Sequence, residues 1–256
     1  VNLEAKSAKS RLDKLLVDRQ LTPSRERAQA LILAGRVLVD EQKIDKPGTP
    51  VAGDAMIRLL GDDLKYVGRG GLKLERALEH WQIDVRDKAC LDVGASTGGF
   101  TDCMLQHGAA SVLAIDTGYG QIAEKLRSDP RVSLMERTNA RLLEANSLAA
   151  RGIGFFAMDV SFISATLVLP AVLGALAQDE KPWRGEAVLL IKPQFEAGRE
   201  HVGKGGIVRT QAARQLAINR VAQSADALGA KGIQVIDSPI KGMEGNHEYL
   251  LHAAFG

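Results

Sequence analysis

From Lys88 onward the sequence repeats one pattern: an apolar run, a polar or glycine-bearing break, and in most cases a helical stretch before the next run. The runs are Ala89–Val93, Ser111–Ile115, Val132–Met135, Phe155–Met158, Ala187–Ile191, Gly232–Ile236 and Tyr249–Phe255. Strands alternating with helices predict an α/β fold built on a mostly parallel, doubly wound seven-stranded sheet. Ligands of such sheets bind outside the carboxyl ends of the strands, so the residues just after each run are where chemistry is expected.

The first third reads differently. Residues 11–36 predict two helices, the first with Leu12, Leu15 and Leu16 on one face. The second has Thr22 as N-cap, Pro23 in the first turn, Ala28, Leu31 and Ile32 at core spacing, and a stop at Gly35. Strand-like segments follow at Val37–Val39 and Ala55–Leu60, separated by turns at Asp40-Glu41-Gln42 and Lys46-Pro47-Gly48-Thr49-Pro50. We therefore expect a small α+β domain over residues 1–62, a flexible connector over 63–71 and a large domain over 72–256. An amphipathic helix opens the large domain, with Leu74, Ala77, Leu78 and Trp81 at core spacing and Lys73 near its start.

Charge supports that division. The whole chain carries 33 Lys and Arg against 31 Asp and Glu, a net of +2. Residues 1–36 alone hold eight basic residues (6, 9, 11, 14, 19, 25, 27, 36) against four acidic ones (4, 13, 18, 26), a net of +4. This basic front end is either a solvated helical face or a surface for phosphates. The two cysteines, Cys90 and Cys103, make no disulfide framework, and no C-x-x-C or H-x-x-x-H spacing suggests a metal. Charges at Lys6, Lys9, Arg11 and Lys14 fall where a signal peptide needs its apolar core, so a cytoplasmic protein is expected. The uncharged stretch Val160–Gln178 approaches the length of a membrane span, but Ser161, Ser164, Thr166, Pro170 and Gly174 interrupt it. A strand end plus a buried helix is the expectation there.

After the first run of the large domain comes Asp92-Val93-Gly94-Ala95-Ser96-Thr97-Gly98-Gly99-Phe100. Glycines at such a place let the backbone turn sharply and approach a ligand in front of a helix N-terminus. The spacing is not G-x-G-x-x-G; Asp92-x-Gly94-x-x-x-Gly98-Gly99-Phe100 resembles the adenosylmethionine loop of Rossmann-like methyltransferases. Asp116 ends the second run, where a carboxylate can accept ribose hydroxyls. Three more charged groups flank later runs: Asp159, Lys192 and Glu248. A lysine leaving a buried strand is costly to keep charged, which lowers its pKa and suits it to act as a general base.

Arg11-Leu12-Asp13-Lys14-Leu15-Leu16, Ser24-Arg25-Glu26-Arg27-Ala28, Gly68-Arg69-Gly70-Gly71-Leu72-Lys73-Leu74, Asp159-Val160-Ser161-Phe162-Ile163-Ser164, Lys192-Pro193-Gln194-Phe195-Glu196 and Gly203-Lys204-Gly205-Gly206 together resemble the TlyA (hemolysin A) family, over nearly the whole chain. The resemblance implies an S4-like RNA-binding domain joined to an FtsJ-like, S-adenosyl-L-methionine-dependent methyltransferase that acts on ribose 2′-hydroxyls of ribosomal RNA or ribosomal subunits. It further implies a Lys-Asp-Lys-Glu tetrad at Lys73, Asp159, Lys192 and Glu248, with Glu244 a competitor for the last place. For the cofactor it implies Asp92, Gly94, Ser96, Gly98, Gly99, Phe100 and Asp116, with Asn139 either an adenine contact or the cap of a turn. Candidate RNA contacts are Arg11, Lys14, Arg25, Arg27, Arg36, Arg69 and Lys204, the last on a glycine loop that either holds phosphate or moves freely. Thr210 stands where the family pattern has Asp, and there it can cap the helix that follows. No metal and no stable membrane association are expected. Two other readings compete: a membrane-active protein, suggested by the hemolysin name and the Val160–Gln178 stretch, and an NAD-dependent oxidoreductase using the Gly94 loop.

Overall fold

The computed structural model describes residues 9–19, 21–22, 24–60, 65–179, 181–242 and 245–256. The chain divides into two units, Val1–Leu64 and Lys65–Gly256.

In the first unit, β1 (Lys9–Arg11) leads into α1 (Leu12–Asp18) and α2 (Arg25–Leu33), followed by β2 (Val37–Val39), β3 (Gln42–Ile44), β4 (Pro50–Ala52) and β5 (Ile57–Leu59). Leu12, Leu15 and Leu16 of α1 meet Ala28, Leu31 and Ile32 of α2 in one buried cluster with Val37, Val39 and Val51. The cap of α2 is Ser24, whose side chain accepts from the Arg27 amide, and not Thr22, whose hydroxyl instead donates to the Ser24 carbonyl. Both residue types can cap, and only the backbone path decides which of two nearby hydroxyls meets the free amides. The predicted first-turn Pro23 lies outside the described residues. Gly35 ends the helix at φ +64°, and Asp40 and Glu41, both at positive φ, turn β2 into β3. β2 is the middle of an antiparallel three-stranded sheet, β3-β2-β5, while β1 pairs with β4. The sequence reading missed β1 (Lys-Ser-Arg), β3 (Gln-Lys-Ile) and β4 (Pro-Val-Ala) because they are polar or open on a turn residue, whereas the equally short β2 and β5 carry Val, Leu and Ile.

In the second unit, α3 (Gly70–Trp81) precedes β6 (Ala89–Val93), α4 (Gly99–Gln106), β7 (Ser111–Ile115), α5 (Glu124–Arg127), β8 (Val132–Met135), β9 (Ile153–Met158), α6 (Ala165–Leu176), β10 (Gly185–Ile191), α7 (Pro193–Glu196), α8 (Gln211–Ala227), β11 (Lys231–Asp237) and β12 (Tyr249–Phe255). All seven predicted strands are present and form one sheet in the order β11-β12-β10-β9-β6-β7-β8. β12 runs antiparallel to both its neighbours, and the other four pairings, β10 with β9, β9 with β6, β6 with β7 and β7 with β8, are parallel. Side chains alternate across this sheet, so adjacent residues enter opposite cores. Phe155, Val188, Leu190 and Leu250 pack with Leu74, Leu78, Phe100 and Met104 of α3 and α4. Phe156, Leu189, Ile191 and Leu251 pack with Val168, Leu169, Val172, Ala217 and Val221 of α6 and α8. The result is a three-layer sandwich with the polar strand ends gathered at one edge.

One expectation changes. Residues 65–71 are not a free connector: Tyr66 is 1% exposed, its hydroxyl donates to Glu75, the Val67 amide donates to Asp102, and Gly70 and Gly71 already belong to α3. Their glycines read as flexibility, yet at Gly71 an added Cβ would stand 2.3 Å from the Tyr66 ring, so they serve close packing. The uncharged stretch 160–178 resolves into a loop and the 12-residue helix α6 with Pro170 inside it. At about 1.5 Å per residue such a helix falls well short of the hydrocarbon core of a bilayer, and among the described residues no helix is long and apolar enough to cross a membrane.

Candidate active site

β6 and β9 lie side by side, but the chain leaves β6 toward β7 and β8 and leaves β9 toward β10 and β12. The loops after them therefore diverge and open a crevice at the switch point. Asp159 follows β9 and Lys192 follows β10; because β12 is antiparallel, the residue that precedes it, Glu248, arrives at the same edge. Lys73 reaches that edge from the first turn of α3.

These four side chains pair across the crevice. Lys73 Nζ donates to Glu248 Oε2 at 2.6 Å, with both residues nearly buried. Lys192 Nζ lies 2.5 Å from Asp159 Oδ1 and donates to Ser161 Oγ at 2.6 Å. Each lysine thus has its own carboxylate.

The loop after β6 is built for close approach. Gly94 sits at φ +88°, where a Cβ would stand 2.4 Å from the Asp159 carbonyl oxygen, so only glycine lets the two strand ends meet. Its amide and that of Ala95 both donate to the Ile115 carbonyl. Gly98, at φ +93°, precedes α4, whose first turn is tied down by Asp92: the Thr101 amide and hydroxyl both donate to Asp92 Oδ2. Asp92 Oδ1 has no partner among the described residues. Burial pushes the Asp92 carboxyl up to about 7 against the Thr101 bonds, and the charge of Asp159 adds to the rise.

A cavity of about 680 Å³ lies over this edge, lined by Lys73, Asp159, Lys192 and Glu248 and by Gly94, Ser96, Gly99, Phe100 and Arg69. The other predicted residues sit elsewhere. Asp92 is beneath the loop, fully buried. Asp116 accepts from the Ser96 and Gly118 amides in a small adjoining niche with Gln121 and Glu136. Gly98 packs against Leu126, Asn139 caps a short 3₁₀ turn by accepting from the Arg141 amide, and Lys204 is exposed away from the cavity lining. Thr210 caps α8, accepting from the Ala213 amide. In the first unit Arg11, Lys14 and Arg25 are exposed while Arg27 and Arg36 are half-buried. Glu244, the competitor for the tetrad, lies outside the described residues.

Among the cavity residues that sequence reasoning passed over, three stand out. Phe162 is 93% exposed at φ +64°, with its ring 5.5 Å from that of Phe195; Gln194 holds its Oε1 buried and unpartnered among the described residues; Lys241 is exposed and lines the cavity beside Gly242. Phe162 and Gln194 fall within two residues of Lys192 or three of Asp159, and that proximity to a strand end was the available signal.

Residues 66–255 match the FtsJ-like methyltransferase family and residues 10–57 match the S4 domain. The chain belongs to the FtsJ-like methyltransferases, with an S4 domain ahead of the catalytic one. It is 43% identical over 244 residues to the 16S/23S rRNA (cytidine-2′-O)-methyltransferase TlyA of Mycobacterium tuberculosis, covering 95% of this chain and 89% of that protein. It is 42% identical over 242 residues to Hemolysin A of Brachyspira hyodysenteriae, covering 94% and 98%. Among solved structures, a hemolysin-named protein of Streptococcus thermophilus matches with a TM-score of 0.72 at 41% identity, over 97% of this chain and 89% of the other. An S-adenosylmethionine-dependent methyltransferase of Mesorhizobium loti shares the fold at a TM-score of 0.52 and 13% identity, over 73% and 100%. As an FtsJ-like methyltransferase the enzyme takes S-adenosylmethionine as its cofactor. The residues present fit that cofactor: a glycine cradle that admits no Cβ at Gly94 opens on the cavity beside the carboxylate of Asp116.

Proposed function

We propose that this enzyme methylates a ribose 2′-hydroxyl in ribosomal RNA through the Lys73, Asp159, Lys192 and Glu248 tetrad, with residues 1–62 as the RNA-gripping domain, 63–71 as the junction and 72–256 as the catalytic domain. The observation that carries this reading is the pair of lysine–carboxylate contacts at 2.5 and 2.6 Å facing one cavity beside the glycine loop. The named activity of the M. tuberculosis relative supports it and makes a cytidine the expected target.

S-Adenosylmethionine, when bound, supplies an electrophilic methyl group. Gly94, Ser96, Gly99 and Phe100 would hold it from the cavity, Asp116 from the adjoining niche, and Asp92 would act from below by fixing the first turn of α4. A ribose hydroxyl is a weak acid, so its proton must have a destination in the transition state. Lys192 is that destination: in its neutral form it accepts the proton, and Asp159 at 2.5 Å meets the ammonium that results. Ser161 fixes the direction of the Lys192 amine. Lys73 and Glu248, paired and nearly dry, orient the ribose without adding net charge to the site. The exposed Phe162 ring offers a stacking face to a base that has left its helix. Arg11, Lys14, Arg25, Arg27, Arg36, Arg69 and Lys204 would contact phosphates.

Incubating the protein and labelled S-adenosylmethionine with unmodified ribosomal subunits, then mapping the label, tests this reading. Label on a ribose 2′-oxygen is expected. Absence of label under conditions where the cofactor binds would overturn it.

A further inference from the structure

The first unit contains a charge cluster that methyl transfer does not use. Asp13 is wholly buried, and both its oxygens are occupied. Oδ1 accepts from Arg11 Nε at 3.0 Å and from the Lys14 amide at 2.9 Å, while Oδ2 accepts from Arg11 Nη2, Arg25 Nε and Gln29 Nε2, each at 3.0 Å. The two arginines keep about half of their side-chain surface exposed, 52% and 53%.

One carboxylate needs one cation to be neutralised. Here it collects two, from either side of the α1–α2 connection, so a net positive charge is left and the two guanidinium groups repel each other. One arginine already neutralises the buried Asp13, so the second guanidinium, half-exposed, adds little to stability. As a receptor it is effective: the bonds to Asp13 restrain two side chains that would each otherwise sample many rotamers, and those bonds use neither Arg11 Nη1 nor either terminal nitrogen of Arg25. An anion bridging the two groups would remove their repulsion. A phosphodiester has the charge and the paired oxygens that a guanidinium fork binds.

We propose that Asp13 is a positioning residue that gathers Arg11 and Arg25 into one fork for a single phosphodiester of folded RNA. The proposal rests on the RNA-binding reading of this unit.

The test measures affinity of the full-length protein for a ribosomal-RNA transcript across a potassium chloride series, for wild type, Arg11→Gln/Arg25→Gln, Asp13→Asn and the triple variant. The double arginine variant is expected to bind about tenfold more weakly, with its salt slope reduced by about one. Asp13→Asn removes a negative charge, so a purely electrostatic role predicts tighter binding; the fork predicts binding several-fold weaker. That loss should vanish in the triple variant, which a general folding defect would not produce. Arg25→Lys keeps the charge at an exposed position but loses the Nε contact, and it answers the same question should Asp13→Asn fail to fold: weakening close to that of Arg25→Gln is expected. Wild-type affinity in Asp13→Asn or Arg25→Lys, beside a weakened double arginine variant, would overturn the fork and leave RNA binding standing. Wild-type affinity in the double arginine variant would overturn the fork at its root. No salt-dependent RNA binding by the wild type would overturn the RNA reading itself.

Discussion

Lys73 and Glu248 stand 175 residues apart in the chain and 2.6 Å apart in the fold, each nearly sealed from water. Removing one member leaves the other as an uncompensated buried charge, a loss of about 3–5 kcal/mol in typical proteins. Lys73→Ala is therefore expected to lower the melting temperature clearly more than Lys73→Met combined with Glu248→Gln, although both abolish activity. Thermal unfolding of the three proteins checks this, and equal losses in the single and double variants would contradict it.

Lys192 differs in that its amine faces the cavity with Asp159 and Ser161 as partners. Loss of a general base costs about 10²–10⁴-fold in rate. Lys192→Ala should lower kcat by that order while calorimetric binding of S-adenosylmethionine stays within about threefold of wild type. Ser161→Ala, which loosens the amine without removing it, should show a smaller loss confined to kcat.

Gly94→Ala places a Cβ 2.4 Å from the Asp159 carbonyl oxygen in a backbone region hostile to alanine. The expected result is displacement of the loop from the end of β9, with loss of cofactor affinity and of rate together. Gly152, also at positive φ but with open space around it, provides the control: Gly152→Ala should cost only backbone strain, about 1 kcal/mol, and leave activity intact.

Asp92 gives a pH dependence whose sign is fixed by its environment. Its carboxyl is pushed up to about 7 in the fold from an ordinary value of 3.8. Between those values the folded state holds a proton that the unfolded state has released, so stability contributed by this group falls as pH rises from about 4 to about 7. Each pKa unit corresponds to about 1.4 kcal/mol. Measured against Asp92→Asn, which cancels the other titrating groups, wild type should lose stability relative to the variant across that window. A constant difference from pH 4 to pH 8 would show that Asp92 titrates normally.

Phe162 projects almost entirely into solvent from a left-handed backbone position. If its ring stacks on a base, Phe162→Ala should raise KM for RNA by about one order of magnitude, in line with about 1–3 kcal/mol per stacked base. Cofactor affinity and melting temperature should not change. An unaltered KM would remove Phe162 from the RNA site.

Local patterns in the sequence determined the sheet: strands such as Ala89–Val93 and Ala187–Ile191 are apolar runs whose length and flanking breaks leave little choice. They also determined which residues end those strands, and so that Asp159, Lys192 and Glu248 would share an edge once β12 ran against its neighbours. Short and polar elements stayed hidden, as with β1, β3 and β4, and the cap of α2 depended on where the backbone turned rather than on which hydroxyl was available. Only the tertiary structure decided that each lysine takes its own carboxylate, Lys73 with Glu248 and Lys192 with Asp159, and that Asp92 and Asn139 support loops instead of lining the cavity. The physical reason is range: apolar periodicity is set by neighbours a few residues away, whereas ion pairing, burial and the space left for a Cβ depend on segments that meet only after the chain has folded.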